Sequence, residues 1–71
     1  MLIKGNNRVI FTNNNSIISM EIKNNKVNGK VIVYDKTSGA IERSCNYIND
    51  IPNGVYREYY KDKITYERII D

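Results

Sequence analysis

Residues 49–60 read NDIPNGVYREYY, a cluster of turn-forming residues directly ahead of a valine and three tyrosines. Proline presets φ at the second position of a turn and asparagine tolerates the third. Glycine accepts the positive φ that a turn or a glycine bulge needs. Whether the stretch is a lone hairpin corner or one unit of a repeat decides the fold. A second pair, Asn28-Gly29, precedes Asn53-Gly54 by 25 positions. From these pairs, NGKVIVYDKTSGAIERS and NGVYREYYKDKITYERI run alike. Each has a short run carrying Tyr34 or Tyr59, a polar turn, then Ile41 or Ile64 shortly before a glutamate and an arginine. Upstream, EIKNNKVNG (21–29) overlays NYINDIPNG (46–54) at the same offset. A divergent copy, NRVIFTNNNSIISMEIK, keeps the strand–turn–strand pattern without the leading glycine. The chain is built by repetition, in about three units of 22 to 25 residues spanning 7–27, 28–52 and 53–71.

Each unit reads as a β-hairpin. Runs rich in Val, Ile and Tyr are split by TNNNS, DKTSG and KDK, all turn-forming clusters. Strands are expected near 8–12, 16–23, 30–35, 40–48, 54–60 and 63–69, with Gly29, Gly39, Pro52, Asn53 and Gly54 in the turns. No window holds an apolar period of 3.6, so no helix is expected beyond a terminal turn. Short links favour pairing of consecutive strands. The expected class is all-β: an antiparallel hairpin-repeat meander of about six strands in a single twisted sheet.

A chain of 71 residues is one small domain at most, and at that length a core leans on a disulfide, a metal or another chain. Cys45 is the sole cysteine and histidine is absent, so no intrachain disulfide forms and a zinc site has no ligand set. Neither a metal nor a cofactor is expected, and oligomerisation is the remaining support. A lone cysteine fits a reducing compartment, read as cytoplasmic. The start, MLIKGNNRVIF, lacks a signal-peptide core, and no stretch is long enough to span a bilayer. Net charge is +3, but the acids are spread along the chain, as on a solvated surface.

Alternation places Ile41, Arg43, Cys45 and Tyr47 on one face of their strand and Glu42, Ser44, Asn46 and Ile48 on the other. Tyrosine falls on both faces of the middle strands, which favours packing against another copy or a partner. Glu42, Glu58 and Glu67 read as cross-strand partners of Arg43, Arg57 and Arg68 rather than as catalytic acids. Ser44 and Cys45 have no histidine base, so triad-type nucleophiles are excluded and no enzyme is expected.

The segment from residue 28 to about 68 resembles the bacterial variant MORN repeat of YwqK-type antitoxin-like proteins. Gly54, Tyr56, Tyr59 and Tyr60 match its opening, and Ile64, Tyr66 and Glu67 its return strand. The preceding unit contributes Gly29, Tyr34, Gly39, Ile41, Glu42 and Tyr47. Val31 replaces the first aromatic, Asp50 stands where a linking glycine is usual, and Lys61-Asp62 lacks its glycine. The resemblance implies a hairpin-repeat sheet that acts by contact: an inhibitor that neutralises a bacterial toxin or, if phage-encoded, a host defence complex.

The expected function is a non-enzymatic protein-interaction module whose anchors are Tyr34, Arg43, Tyr56, Arg57, Tyr59 and Tyr60, residue types that dominate interfaces. The partner would be another protein, with the chain itself a homo-oligomer. The alternative is single-stranded nucleic-acid binding, with Tyr34, Tyr56, Tyr59 and Tyr60 stacking bases beside Lys30, Arg57, Lys61 and Lys63.

Overall fold

Asn, Asp and Lys pairs, rather than the Asn-Gly pairs, turn this chain. The structure, a computed structural model, describes residues 6–70. Its strands are β1 (Asn6–Thr12), β2 (Ser16–Lys23), β3 (Lys26–Val27), β4 (Gly29–Asp35), β5 (Ile41–Ile48), β6 (Ile51–Tyr60) and β7 (Lys63–Ile70). All pairings are antiparallel, in the order β1-β2-β4-β5-β6-β7 with β3 on β2, and the sheet stays open. Among the described residues there is no helix, so none is long and apolar enough to cross a membrane.

Seven strands replace the expected six because the connectors lie elsewhere. Two-residue hairpin turns need positive φ at both central positions to match strand twist. Asn24 and Asn25 (φ 52° and 64°), Asn49 and Asp50 (48° and 70°) and Lys61 and Asp62 (50° and 65°) supply it. The turn at Asn24-Asn25 creates the short β3, which pairs Val27 with Ile22. Pro52, Asn53 and Gly54 therefore lie inside β6, and Gly29 opens β4. They are not the hairpin turns the sequence suggested. Pro52 pairs with Tyr47 on one side, and β7 joins the other side only from Gly54 onward, so its missing N–H breaks no ladder.

The Asn-Gly pairs instead mark bulges. Pairing runs from Ser19↔Ile32 to Ile22↔Val27, and from Cys45↔Tyr56 to Tyr47↔Pro52. In both places the strand carrying the glycine holds extra residues, and Gly29 (φ 120°) and Gly54 (φ 101°) adopt the backbone this requires. The 25-residue offset thus reappears in the backbone: β2 superposes in sequence on β5, and β3 with β4 on the continuous β6. Gly39 (φ 78°) lies in the loop from β4 to β5, where its N–H bonds the Asp35 carbonyl at 2.8 Å.

Register defines two faces. One carries the row Phe11, Ile18, Val33, Arg43, Glu58 and Tyr66, flanked by Val31, Cys45, Tyr56 and Arg68; it is the valine face. The serine face carries Ile10, Ser19, Ile32, Ser44, Arg57 and Glu67. Burial is confined to the sheet centre: Val33 and Cys45 on the first face, 7% and 9% exposed, and Ser19 and Ser44 on the second. The molecule is a slab of 36 × 29 × 15 Å with no large side chain fully buried among the described residues.

Candidate functional site

Two hollows stand out among the described residues. The valine-face hollow, about 210 Å³, is lined by Val31, Val33, Arg43, Cys45, Tyr47, Pro52, Tyr56 and Ile70, with Ser44 completing it. β4, β5 and β6 place these groups side by side because Val31 pairs with Cys45 and Cys45 with Tyr56. Tyr56 packs edge-on against Tyr66, ring centroids 6.2 Å apart, and donates its hydroxyl to Glu58 Oε2 at 2.7 Å. That bond, which the phenolate cannot make, raises the Tyr56 pKa, and partial burial adds to the shift.

The second hollow, about 380 Å³, lies at the corner where the β4–β5 loop meets the β6–β7 turn. Ile41, Tyr59 and Tyr60 give it apolar surface, Asp35 and Glu42 give it acid, and Lys61 gives it a cation. Lys61 Nζ sits 5.5 Å from the Tyr60 ring centroid. Asp35 is fixed by its own loop: its carboxylate accepts the Ser38 N–H at 2.8 Å. Hydrogen bonds from the Ser38 backbone and hydroxyl hold its pKa below the ordinary value.

The six anchors expected from sequence do not form one patch. Arg43 and Tyr56 lie on the valine face, and Tyr34, Arg57 and Tyr59 on the serine face, with Tyr60 at the corner. Tyr34 pairs with Ile41, next to the corner hollow. Arg57 is engaged within the molecule: its Nε donates to Glu67 Oε2, which raises the guanidinium pKa. A second ion pair, Arg8 to Glu21 at 2.9 Å, also lies on the serine face, where Arg8 Nη1 reaches Ser19 Oγ at 3.1 Å.

Sequence reasoning passed over Tyr66 and Ile41 as site residues and gave Lys61 only the role of a cation beside stacked bases. Tyr66 and Ile41 were visible as repeat positions, but only register shows that they flank Tyr56 and Tyr59. Among the described residues no three Cys, Asp or Glu side chains gather as a metal site, and the Cys45 thiol is buried against the Asn46 carbonyl at 3.3 Å. The arrangement suits contact: exposed aromatics, an apolar floor and mixed charge. No family model matches the chain, and no curated protein or solved structure matches it.

Proposed function

We propose that the chain is a non-enzymatic protein-interaction module whose partner docks at the corner hollow. The observation that carries this is the exposure of Tyr60, 66%, beside Tyr59, Ile41 and the exposed Ile64. Large apolar groups left in water around a concavity, with charge at hand, are what interface hot spots are made of. The specific form of the reading comes from the MORN-type resemblance: an antitoxin-like or phage-borne inhibitor acting in the bacterial cytoplasm. Single-stranded nucleic acid is the poorer fit, because Asp35 and Glu42 line the same hollow as Lys61 and repel phosphate.

The test is capture of partners from a bacterial lysate by the full chain, with and without nuclease. Tyr60→Ala and Lys61→Glu should each weaken the captured complex by about tenfold or more, whereas Lys26→Glu, exposed on β3 at the opposite end of the sheet, should not. Tyr60 and Lys61 are exposed, so circular dichroism of both variants should match the parent. Capture abolished by nuclease and steeply salt-dependent would replace this reading with the nucleic-acid one. Undiminished binding by both variants would move the site away from the corner.

A further inference from the structure

We propose that two copies of the chain stack through their valine faces, related by a two-fold axis that runs along the strand direction between β5 and β6. The inference concerns the face that the corner hollow leaves unused. A single layer in which Val33 and Cys45 are the only buried hydrophobic residues among those described cannot shield its own apolar side. The second copy is the occupant because the register makes this face complementary to itself.

Residues paired across strands lie at the same height along them. An axis between β5 and β6 therefore exchanges β5 with β6 and β4 with β7, and keeps each height. Cys45 then faces the second copy's Tyr56, and Val33 faces the second copy's Tyr66. Each contact sets a large ring over a small side chain, twice over. The hollow beside Cys45 is where the second copy's Tyr56 enters. Arg43 faces the second copy's Glu58, and the reverse, because these two are also a register pair. Within one chain they form no ion pair; among the described residues the ion pairs are Arg8–Glu21 and Arg57–Glu67.

Charge selects this axis over its neighbour. An axis between β4 and β5 covers more strands, but it sets Arg43 over Val33 and Glu58 over Ile18. Both charges would then be buried without a partner, a cost of several kcal/mol per ion. The charge that the chosen axis sets over an apolar side chain, Arg68 over Val31, is instead exposed on the edge strand β7, at the rim of the overlap. Area also suffices. The slab spans 36 by 29 Å, and the chosen axis overlaps four of its six strand positions. That covers on the order of 700 Å² per copy, within the roughly 600–1,000 Å² per partner of stable interfaces. The sheets would pack about 10 Å apart as an aligned sandwich.

The experiment uses charge reversal and mixing. By sedimentation, the full chain should have about twice the 8.3 kDa mass of one copy. Arg43→Glu and Glu58→Arg should each weaken the dimer by at least about tenfold, since like charges then meet across the axis. An equimolar mixture of the two variants should recover the dimer, because each then offers the other an opposite charge at both positions. A contact within one chain cannot produce that recovery. If either variant loses its sheet spectrum, the unsubstituted chain serves instead. Isotope-filtered NOEs in a mixed-label sample should join the Tyr66 ring to Val33 methyls of the other copy; within one chain β4 and β7 are separated by two strands. A monomer at high concentration, a mixture that stays monomeric, or absence of those NOEs overturns the proposal.

Discussion

Gly29 and Gly54 occupy the same position 25 residues apart, both with positive φ, yet their neighbours differ. A Cβ on Gly29 would meet the Glu21 carboxyl at 2.9 Å, and that carboxyl is held by Arg8. A Cβ on Gly54 would meet Asn46 at 3.4 Å, ordinary contact at the tight end. Both alanine substitutions carry backbone strain of about 1–2 kcal/mol, but Gly29→Ala must also displace the Glu21 carboxylate from Arg8. Gly29→Ala should therefore cost about 1 kcal/mol more than Gly54→Ala in urea unfolding. Equal losses would show that the Glu21 side chain yields freely.

The hairpin turns differ in what they do besides turn. Asp50 sits at φ 70°, where glycine would be cheaper, but it also docks on the strand before it. Its N–H donates to the Val27 carbonyl at 2.8 Å, and its Oδ1 accepts the Val27 N–H at 2.7 Å. Asn28 Nδ2 adds a bond to Asn49 Oδ1 at 3.3 Å. This clip satisfies β3, whose two residues otherwise pair on one side only. Asp62, at φ 65°, has no comparable bond. Asp50→Gly should thus destabilise by about 1–2 kcal/mol despite relieving φ, because the carboxylate that accepts the Val27 N–H is lost. Asp62→Gly should stabilise by about 0.5–1 kcal/mol. Thermal melts of the two variants should move in opposite directions.

At the scale of the molecule, one open layer must manage two faces and two edges. The β7 edge keeps Ile64 and Ile69 exposed, yet Lys63, Glu67 and Arg68 and the register shift between Glu58 and Tyr59 blunt it against pairing. The serine face carries two ion pairs beside the exposed Ile10 and Ile69, while the valine face has no ion pair among the described residues and leaves Phe11 and Tyr66 exposed. Stability drawn from a second copy depends on concentration. Each tenfold dilution should cost about 1.4 kcal/mol per dimer, about 0.7 kcal/mol per chain, and lower the melting temperature by roughly 3–6 °C for a domain of this size. A melting temperature unchanged over a hundredfold dilution would mean that the layer is stable alone.

The sequence by itself determined the antiparallel hairpins and the 25-residue repeat, because period-two alternation and turn chemistry are local properties. It also contained all the turn residues, but not the choice among them. Asn24-Asn25 and Asn28-Gly29 are both competent turns in isolation, and the ladder from Ser16 to Lys23 decides that the first turns and the second bulges. Tertiary pairing likewise decided the faces. Alternation along β6 already sets Tyr56 against Arg57 and Tyr59, but only the ladder puts Arg43 on the Tyr56 face, and the shift between Val33 and Tyr34 places Ile41 opposite Tyr34. Side chains alternate with a period of two, so a single inserted residue carries every position beyond it to the opposite face, and only the partner strand says where the insertion falls.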